Sequence, residues 1–342
     1  MRKYVALLLA VSVLTACFYC AGCGNPNTPV SKSGFYFDTV IEVTLYGHSN
    51  EALLDDCFSL AEKYEKLFSN TVAESDISRI NHAAGEPVTV DDETIALLEK
   101  GIEYGKLSDG AFDITIGTLS KLWNFSTKSM LAETDSSMIP ASDEIKDALA
   151  SVDYRAVKID GNKVSLTNKD ALLDLGGIAK GYIADQMKQY LIAHGVKNGY
   201  INLGGNVLCI GSKPDSSPYR IGIQMPFGQG NEMIASVELS DKTVVSSGVY
   251  ERNFMADGKL YHHILDTSTG YPYENGLLGV TIITDSSADG DALSTTCFSL
   301  GIKDGMELIE RLPGTEAIFI TEDYALHKSS GIGTDIPLRE EP

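Results

Sequence analysis

Asp291 and Thr295 stand four residues apart in a run, 289–301, whose apolar residues recur at helical spacing. On a helix, positions i and i+4 share one face. A carboxylate and a hydroxyl placed side by side are hard oxygen donors that suit Mg²⁺ or Ca²⁺ and poorly suit zinc. Two such donors leave positions for a backbone carbonyl, water and phosphate oxygens. The same pair also reads as a helix cap and a bond back to the preceding turn, and on local sequence alone that reading prevails.

Two glycine corners and a histidine pair are the other candidate sites. In Leu173-Asp174-Leu175-Gly176-Gly177-Ile178-Ala179-Lys180-Gly181, two glycines stand between a predicted strand and a predicted helix. Glycines allow close backbone approach to a ligand, and a helix start offers free N–H groups, which suits a phosphate. The segment is neither a P-loop nor a GxGxxG fingerprint, and a tight turn with a surface lysine accounts for it equally. Asn202-Leu203-Gly204-Gly205-Asn206 is a second corner, either part of a pocket floor or a plain turn between strands. His262 and His263 fall in a predicted strand, where neighbours face opposite sides, so only one enters a given pocket. An imidazole near its ordinary pKa of ~6.5 accepts a proton from a hydroxyl at neutral pH. A zinc reading lacks a spaced third ligand.

The elements that must position these residues follow from the hydrophobic pattern. Thr39–Tyr46 alternates as a strand, Glu51–Phe68 has helical periodicity, and a second helix is expected over 91–106. Residues 126–143 have loop composition. A hairpin is expected over 155–167 around Asp160-Gly161, then a strand at 171–175. Ala179, Ile183, Met187 and Leu191 give the next helix one apolar face. Strands follow near Gly199–Leu203, Tyr219–Gln224, 236–239 and Leu277–Thr284, with a hairpin turn at Asp257-Gly258. Strands and helices interleave without strict alternation, so the fold class is α+β, or mixed α/β.

Composition narrows the partners. The chain has 342 residues and a net charge of -20, which excludes nucleic acid as a partner class and disfavours an anionic bilayer surface. Attachment to a membrane must therefore be covalent or by insertion. Arg2 and Lys3 precede an apolar run, Tyr4 to Val13, and then Leu14-Thr15-Ala16-Cys17. This describes a secretory leader too short to span a bilayer. A cysteine directly after Leu-Thr-Ala resembles the bacterial lipobox, with Cys17 as the lipidated residue and Cys23 as the alternative. Losing the leader removes Arg2 and Lys3 and makes the mature chain two charges more negative. Six cysteines are present. One is expected to be acylated, and the odd remainder argues against a full disulfide framework. Cys209 and Cys297 read as small buried hydrophobes. The expected organisation is a leader at 1–16, a lipidated tether at 17–34, one domain at 35–330 and a tail at 331–342.

Taken together, these segments resemble the ApbE family, the FAD:protein FMN transferases. The resemblance runs from about Phe37 to about Ile320. It is carried by Gly110-Ala111-Phe112-Asp113-Ile114-Thr115-Ile116-Gly117 with Leu122-Trp123, by Asp174 to Gly181, Asn202 to Asn206 and Ser246-Ser247-Gly248-Val249-Tyr250-Glu251-Arg252, and by His263 to Pro272 and Ala288 to Gly301. Each is weak alone, but six in order behind a lipoprotein leader are specific. Two departures stand out. Thr267 occupies a position that is often proline in the family, and Phe37-Asp38-Thr39 stands where Met-Gly-Thr is common.

The resemblance implies a T-fold-like flavin transferase fold with sheets flanked by helices, FAD as substrate and Mg²⁺ at its pyrophosphate. A threonine hydroxyl of an extracytoplasmic acceptor flavoprotein attacks phosphorus, and AMP leaves. Asp291 and Thr295 match the side-chain metal ligands and Gly177 the position giving a carbonyl. His263 matches the histidine that assists deprotonation. Ala111, Phe112, Asp113, Asp174, Lys180 and Leu265 match flavin-nucleotide contacts, and Phe37 and Thr71 two more. The alternatives are hydrolysis of FAD to FMN and AMP, and a non-catalytic FAD-binding lipoprotein. A Cys17→Ala chain is expected to leave the membrane fraction, followed by fractionation and lipid labelling. Retention of lipid in that variant would move the anchor elsewhere, with Cys23 the first suspect.

Overall fold

The computed structural model describes residues 28–47, 51–131, 134–230 and 232–341. Its centre is an eight-stranded sheet, antiparallel throughout. The strands are Pro29–Tyr36, Thr39–Tyr46, Gly199–Leu203, Asn206–Ile210, Thr243–Gly248, Leu277–Thr284, Glu316–Thr321 and Leu326–Lys328. Their order across the sheet is their order along the chain. Apart from the final strand Leu338–Glu340, which pairs outside this sheet, every other described element is an excursion between two neighbouring strands. All eight residues of Leu277–Thr284 are buried, so both faces of that strand are covered.

The longest excursion separates Thr39–Tyr46 from Gly199–Leu203. It carries helices Glu51–Phe68, Asp92–Leu107 and Ala179–Ala193. Asp91 caps the second, accepting a hydrogen bond from Glu93 N. The expected apolar stripe Ala179, Ile183, Met187 and Leu191 is buried along its whole length. Glu93 gathers the three helices, accepting from Tyr64 at 3.3 Å and Tyr182 at 2.5 Å, with Lys63 at 3.4 Å. The chain between Leu277–Thr284 and Glu316–Thr321 forms Ser287–Glu310, a helix interrupted at Gly301, where φ is +75°.

The helices Ala179–Ala193 and Ser287–Glu310 are clasped at their N-termini. A β-carbon built on Gly181 would lie 2.0 Å from the Ser287 carbonyl oxygen, so only glycine permits this approach. Each helix caps the other. Asp291 Oδ2 accepts from Gly181 N at 2.8 Å. Asp185 accepts from Ser287 N, Ala288 N and Ser286 Oγ at 2.8, 3.0 and 3.0 Å. The three backbone amides among these donors are groups a helix start leaves unpaired.

A second, smaller core lies apart from the main one. Leu119, Trp123, Phe125, Ile145, Phe254 and Leu265 form it. Trp123 stacks on Phe125 and Tyr261, and Phe254 stacks on both of those rings. The ribbon Asn253–Ala256 with Lys259–His262 turns at Asp257 and Gly258, both at positive φ, as expected. The 155–167 hairpin also forms, pairing Val157–Asp160 with Lys163–Leu166.

Three expectations are corrected. Residues 171–175 are extended but join no sheet beyond an isolated bridge, Leu172 to Ile116. The Asn81 side chain occupies the strand-partner position, bonding both Leu173 N and Leu173 O at 2.7 and 3.0 Å. Within 126–143, a helical turn spans Phe125–Lys128, a 3-10 turn spans Ser136–Met138, and an α-helix starts at Ser142. Burial of Phe125 anchors the first of these. Strand pairing also reaches past 35–330, from Pro29–Tyr36 to Leu338–Glu340. The first strand is a solvated edge, so its polar composition reads as a tether. Cys17, Cys20 and Cys23 lie outside the described residues, while Cys57, Cys209 and Cys297 are buried free thiols. Among the described residues, no helix is long and apolar enough to cross a membrane.

Gly181→Ala is expected to push the two helices apart and cost about 1–3 kcal/mol or more, the usual worth of overpacking. Urea unfolding checks it, and an unchanged midpoint would mean that the clasp is not tight.

Candidate functional site

The clasp brings the oxygen donors together. Asp291 is buried, and its side chain meets the Gly181 amide at 2.8 Å and Lys180 Nζ at 3.6 Å. One turn on, Thr295 is only half-buried. Its hydroxyl lies 3.3 Å from Ser247 Oγ, which also bonds Ser294 Oγ at 2.7 Å. A β-carbon built on Gly177 would sit 3.7 Å from Thr295 Oγ1 and 3.2 Å from the Phe112 ring. Gly177, Asp291 and Thr295 therefore form one cluster although 110 or more residues separate the glycine from the other two. The donors are a carboxylate, a hydroxyl and nearby backbone, all hard oxygens. A carboxylate buried with one amide and one loosely placed ammonium keeps acceptor capacity for a cation. These residues fit a hard divalent ion.

The glycine corner is held from within. Asp174 Oδ1 accepts from Gly176 N at 2.9 Å, and Lys180 Nζ donates to Gly176 O at 3.1 Å. Phe112 is buried and lies edge-on to Tyr104, so its ring backs the corner. Ala111, beside it, is half-buried. Asn206 reaches the clasp, its Oδ1 accepting from Ser287 Oγ at 2.7 Å, which ties the second glycine corner to the first.

His262 and His263 divide as strand geometry requires. His262 is buried against the Phe298 ring. Its Nε2 donates to Tyr273 O at 3.0 Å, and its Nδ1 accepts from Ile264 N at 3.3 Å. Both nitrogens are committed, so His262 is structural. His263 is half-buried as a residue, but its Nδ1 is enclosed and has no hydrogen-bond partner. Burial, Arg252 and His262 push its imidazole down to about 3, and Lys180 adds to the effect. The ring is neutral in this setting, and Lys180 links it electrostatically to Asp291.

Other predicted residues serve elsewhere. Asp113 commits both oxygens to the fold: Oδ1 accepts from Thr115 N at 2.7 Å and Thr115 Oγ1 at 2.6 Å on its own loop, and Oδ2 accepts from Tyr154 N at 2.7 Å in the turn Tyr154–Ala156. Burial raises its carboxyl above the usual range despite those bonds. Leu265 belongs to the second core. Thr71 is exposed in a turn, bonded to Ser69. Phe37 is the first loop residue of the hairpin joining the first two strands. Phe37 and Asp38 have φ of +52° and +57°, a turn that favours Asn-Gly. Glu65 holds it, accepting from Phe37 N at 2.8 Å. Thr267 donates to Gly110 O at 2.8 Å, and Trp123 Nε1 donates to Gly270 O at 2.8 Å. The histidine segment is thus fastened to Gly110 through Thr267 and to the helix Gly117–Trp123 through Gly270.

Sequence reasoning missed three contributors. Gly181 and Ser247 lay within quoted motifs without a role, and Asp185 was not singled out. Its position four residues after Gly181 was the available signal.

With this geometry, the comparisons with known proteins agree. The ApbE protein of Thermotoga maritima superposes with a TM-score of 0.79 at 32% identity, covering 89% of this chain and 97% of that one. A flavin transferase ApbE from Vibrio cholerae superposes at 0.78 with 28% identity, covering 89% and 98%. The mixed α+β architecture is therefore that of the ApbE flavin transferases. The ApbE family model matches residues 37–319. A FAD:protein FMN transferase of Klebsiella pneumoniae is 37% identical over 309 residues, covering 90% of this chain and 93% of that protein. One from Treponema pallidum is 35% identical over 322 residues, covering 88% and 87%. The chain belongs to the ApbE family.

Burial also holds the His262 imidazole down to about 4, partly offset by its bond to Tyr273. The unfolded chain takes up this proton near pH 6.5, whereas the fold resists it until about pH 4. Stability is therefore full above pH 6.5 and declines as pH falls toward 4, by about 1.4 kcal/mol per unit for one such group. His262→Gln is expected to flatten part of that decline in urea titrations at pH 7 and pH 5. An unchanged difference between the two pH values would contradict the assignment.

Proposed function

We propose that the chain is an FAD:protein FMN transferase that moves FMN from FAD onto a threonine hydroxyl of an acceptor protein and releases AMP. The observation that carries this reading is the cluster of Gly177, Asp291 and Thr295 beside Lys180, with an unpartnered ring nitrogen on His263. Family membership supports it.

Transfer needs the diphosphate charge neutralised, the hydroxyl aligned and a place for its proton. Asp291, Thr295 and the Gly177 carbonyl would hold Mg²⁺, which when bound neutralises phosphate charge and orients the diphosphate. The acceptor oxygen bonds to the phosphorus of the FMN half. The bond from that phosphorus to the bridging oxygen breaks, and its electron pair leaves with AMP. The hydroxyl proton passes to the His263 imidazole. In the free chain, burial first and then the cationic neighbours Arg252 and Lys180 keep that ring from accepting a proton. An anionic diphosphate drawn to the site cancels their field and raises the basicity of the ring as substrate binds.

On the same reading, the acceptor is extracytoplasmic and the chain is lipid-anchored to the bacterial cell membrane. The motive is the Leu14-Thr15-Ala16-Cys17 leader.

Two sets of variants test the chemistry in single turnover, with FAD saturating and an acceptor domain present. Asp291→Asn keeps an oxygen for the Gly181 amide but loses the charge, so the fold should persist while transfer falls by ~10²-fold or more. Normal transfer would remove Asp291 from the mechanism. His263→Ala should slow transfer by ~10²–10⁴-fold, and His262→Ala should act mainly on stability. A greater kinetic loss at His262 would reverse their roles. Equal AMP release without acceptor would turn the reading toward hydrolysis.

A further inference from the structure

The segment Ser246 to Arg252 supplies one more group to the site. Asn253 pairs with His262 at the start of the two-stranded ribbon, and the ladder extends one step beyond it. His263 N donates to Arg252 O at 3.0 Å, so Arg252 lies directly across from His263. Cross-strand partners project from the same face, about 5 Å apart at their β-carbons. Asn253 and His262 take the opposite face, where His262 meets Phe298. Arg252 and His263 therefore emerge together.

The charge pattern shows what the guanidinium is for. Six arginines lie in the described residues. Arg79, Arg155, Arg220, Arg311 and Arg339 each pair with a carboxylate. Arg252 alone among them does not. Its side-chain partner is a hydroxyl, Ser126 Oγ, at 3.3 Å from Nη1, and the residue is half-buried. Glu251 adjoins it in sequence but makes no ion pair with it. In a chain of net charge -20, an arginine free of carboxylate pairing beside an unpartnered imidazole nitrogen is suited to an incoming anion. Lys180 is also near enough to bear on the His263 ring, so two cations flank one neutral base. A guanidinium presents a planar fork of donors that matches phosphate oxygens.

We propose that Arg252 binds a phosphate oxygen of the diphosphate substrate, across the ribbon from His263, and stabilises the charge that develops there during transfer. The assignment rests on the transferase reading for the identity of the diphosphate. It concerns the recognition of that group by a residue outside the Gly177–Asp291–Thr295 cluster. Because the fork grips oxygen that gains charge as the bridging bond breaks, its effect on the transfer step exceeds its effect on binding.

The test uses the full chain with FAD, reading affinity by quenching of flavin fluorescence and transfer by single turnover. Arg252→Met is expected to weaken FAD binding by ~10–100-fold, the worth of a charged hydrogen bond, and to slow transfer by ~10²–10³-fold at saturating FAD. Arg252→Lys should recover part of the binding and less of the rate, since a point charge replaces a fork. Ser126→Ala removes the guanidinium's side-chain partner and should change either quantity by less than about threefold. FAD affinity and transfer by Arg252→Met within twofold of the unmodified chain would overturn the assignment. So would equal losses in Ser126→Ala, which would make Arg252 a brace for the 125–128 turn. The binding arm needs no turnover. An unmodified chain that binds FAD but never flavinylates an acceptor would sink the transferase reading while leaving the Arg252 comparison decisive.

Discussion

The structure depends on one close approach, the backbone of Gly181 against the Ser287 carbonyl. It sets two helix N-termini side by side, a juxtaposition that is unfavourable without anions to cap them. The chain meets that need reciprocally. Asp185 caps the later helix, and Asp291 caps the earlier one. Asp291 therefore has two duties. It completes the fold, and it points a buried carboxylate at the corner where Gly177 and Thr295 meet. The fold holds the donor in place before any ligand arrives, so ligand binding need not meet that ordering cost.

Electrostatics explain how so acidic a chain can attract a diphosphate. Several of its acidic residues pair with lysine on the surface away from the site. At the site the balance is local. The Asp291 carboxylate is tied to an amide and a lysine, while Arg252 makes no ion pair among the described residues and His263 is held neutral. Charges beyond about 8–10 Å are largely screened at physiological salt, so the net charge governs partners at a distance and the local cations govern the ligand.

The second core works as a mounting. Phe254 and Tyr261, on the ribbon itself and two residues from Arg252 and His263, stack with Trp123 and Phe125. Trp123 holds Gly270 of the histidine segment to that core, and Thr267 bonds the same segment to Gly110. Stacked rings have few rotatable bonds and leave the ribbon little freedom to tilt. The threonine at position 267 uses its hydroxyl to reach Gly110 O, a contact that proline could not make.

Much of this was legible in the sequence. Period-two and period-3.6 patterns located the helices Glu51–Phe68 and Ala179–Ala193 and three of the eight central strands, Thr39–Tyr46, Gly199–Leu203 and Leu277–Thr284, because burial of one face imposes those periods. The hairpins at Asp160-Gly161 and Asp257-Gly258 followed from turn chemistry. The i, i+4 spacing put Asp291 and Thr295 on one face, and strand alternation separated His262 from His263. Other features depended on contacts between distant segments. Residues 171–175 looked like a strand because their composition suits one, but an asparagine side chain took the place of a neighbouring strand. Residues 29–33 looked like a tether because a solvated edge strand needs few apolar residues. The capping reading and the ligand reading of Asp291 competed in the sequence, and the structure makes Asp291 the cap of a different helix while leaving it beside Thr295. Sequence could establish which residues share a face. Only the tertiary structure decided that Gly181 lies against Ser287 and that Arg252 lies across from His263, because close approach and cross-strand register are set by packing between segments that share no local pattern.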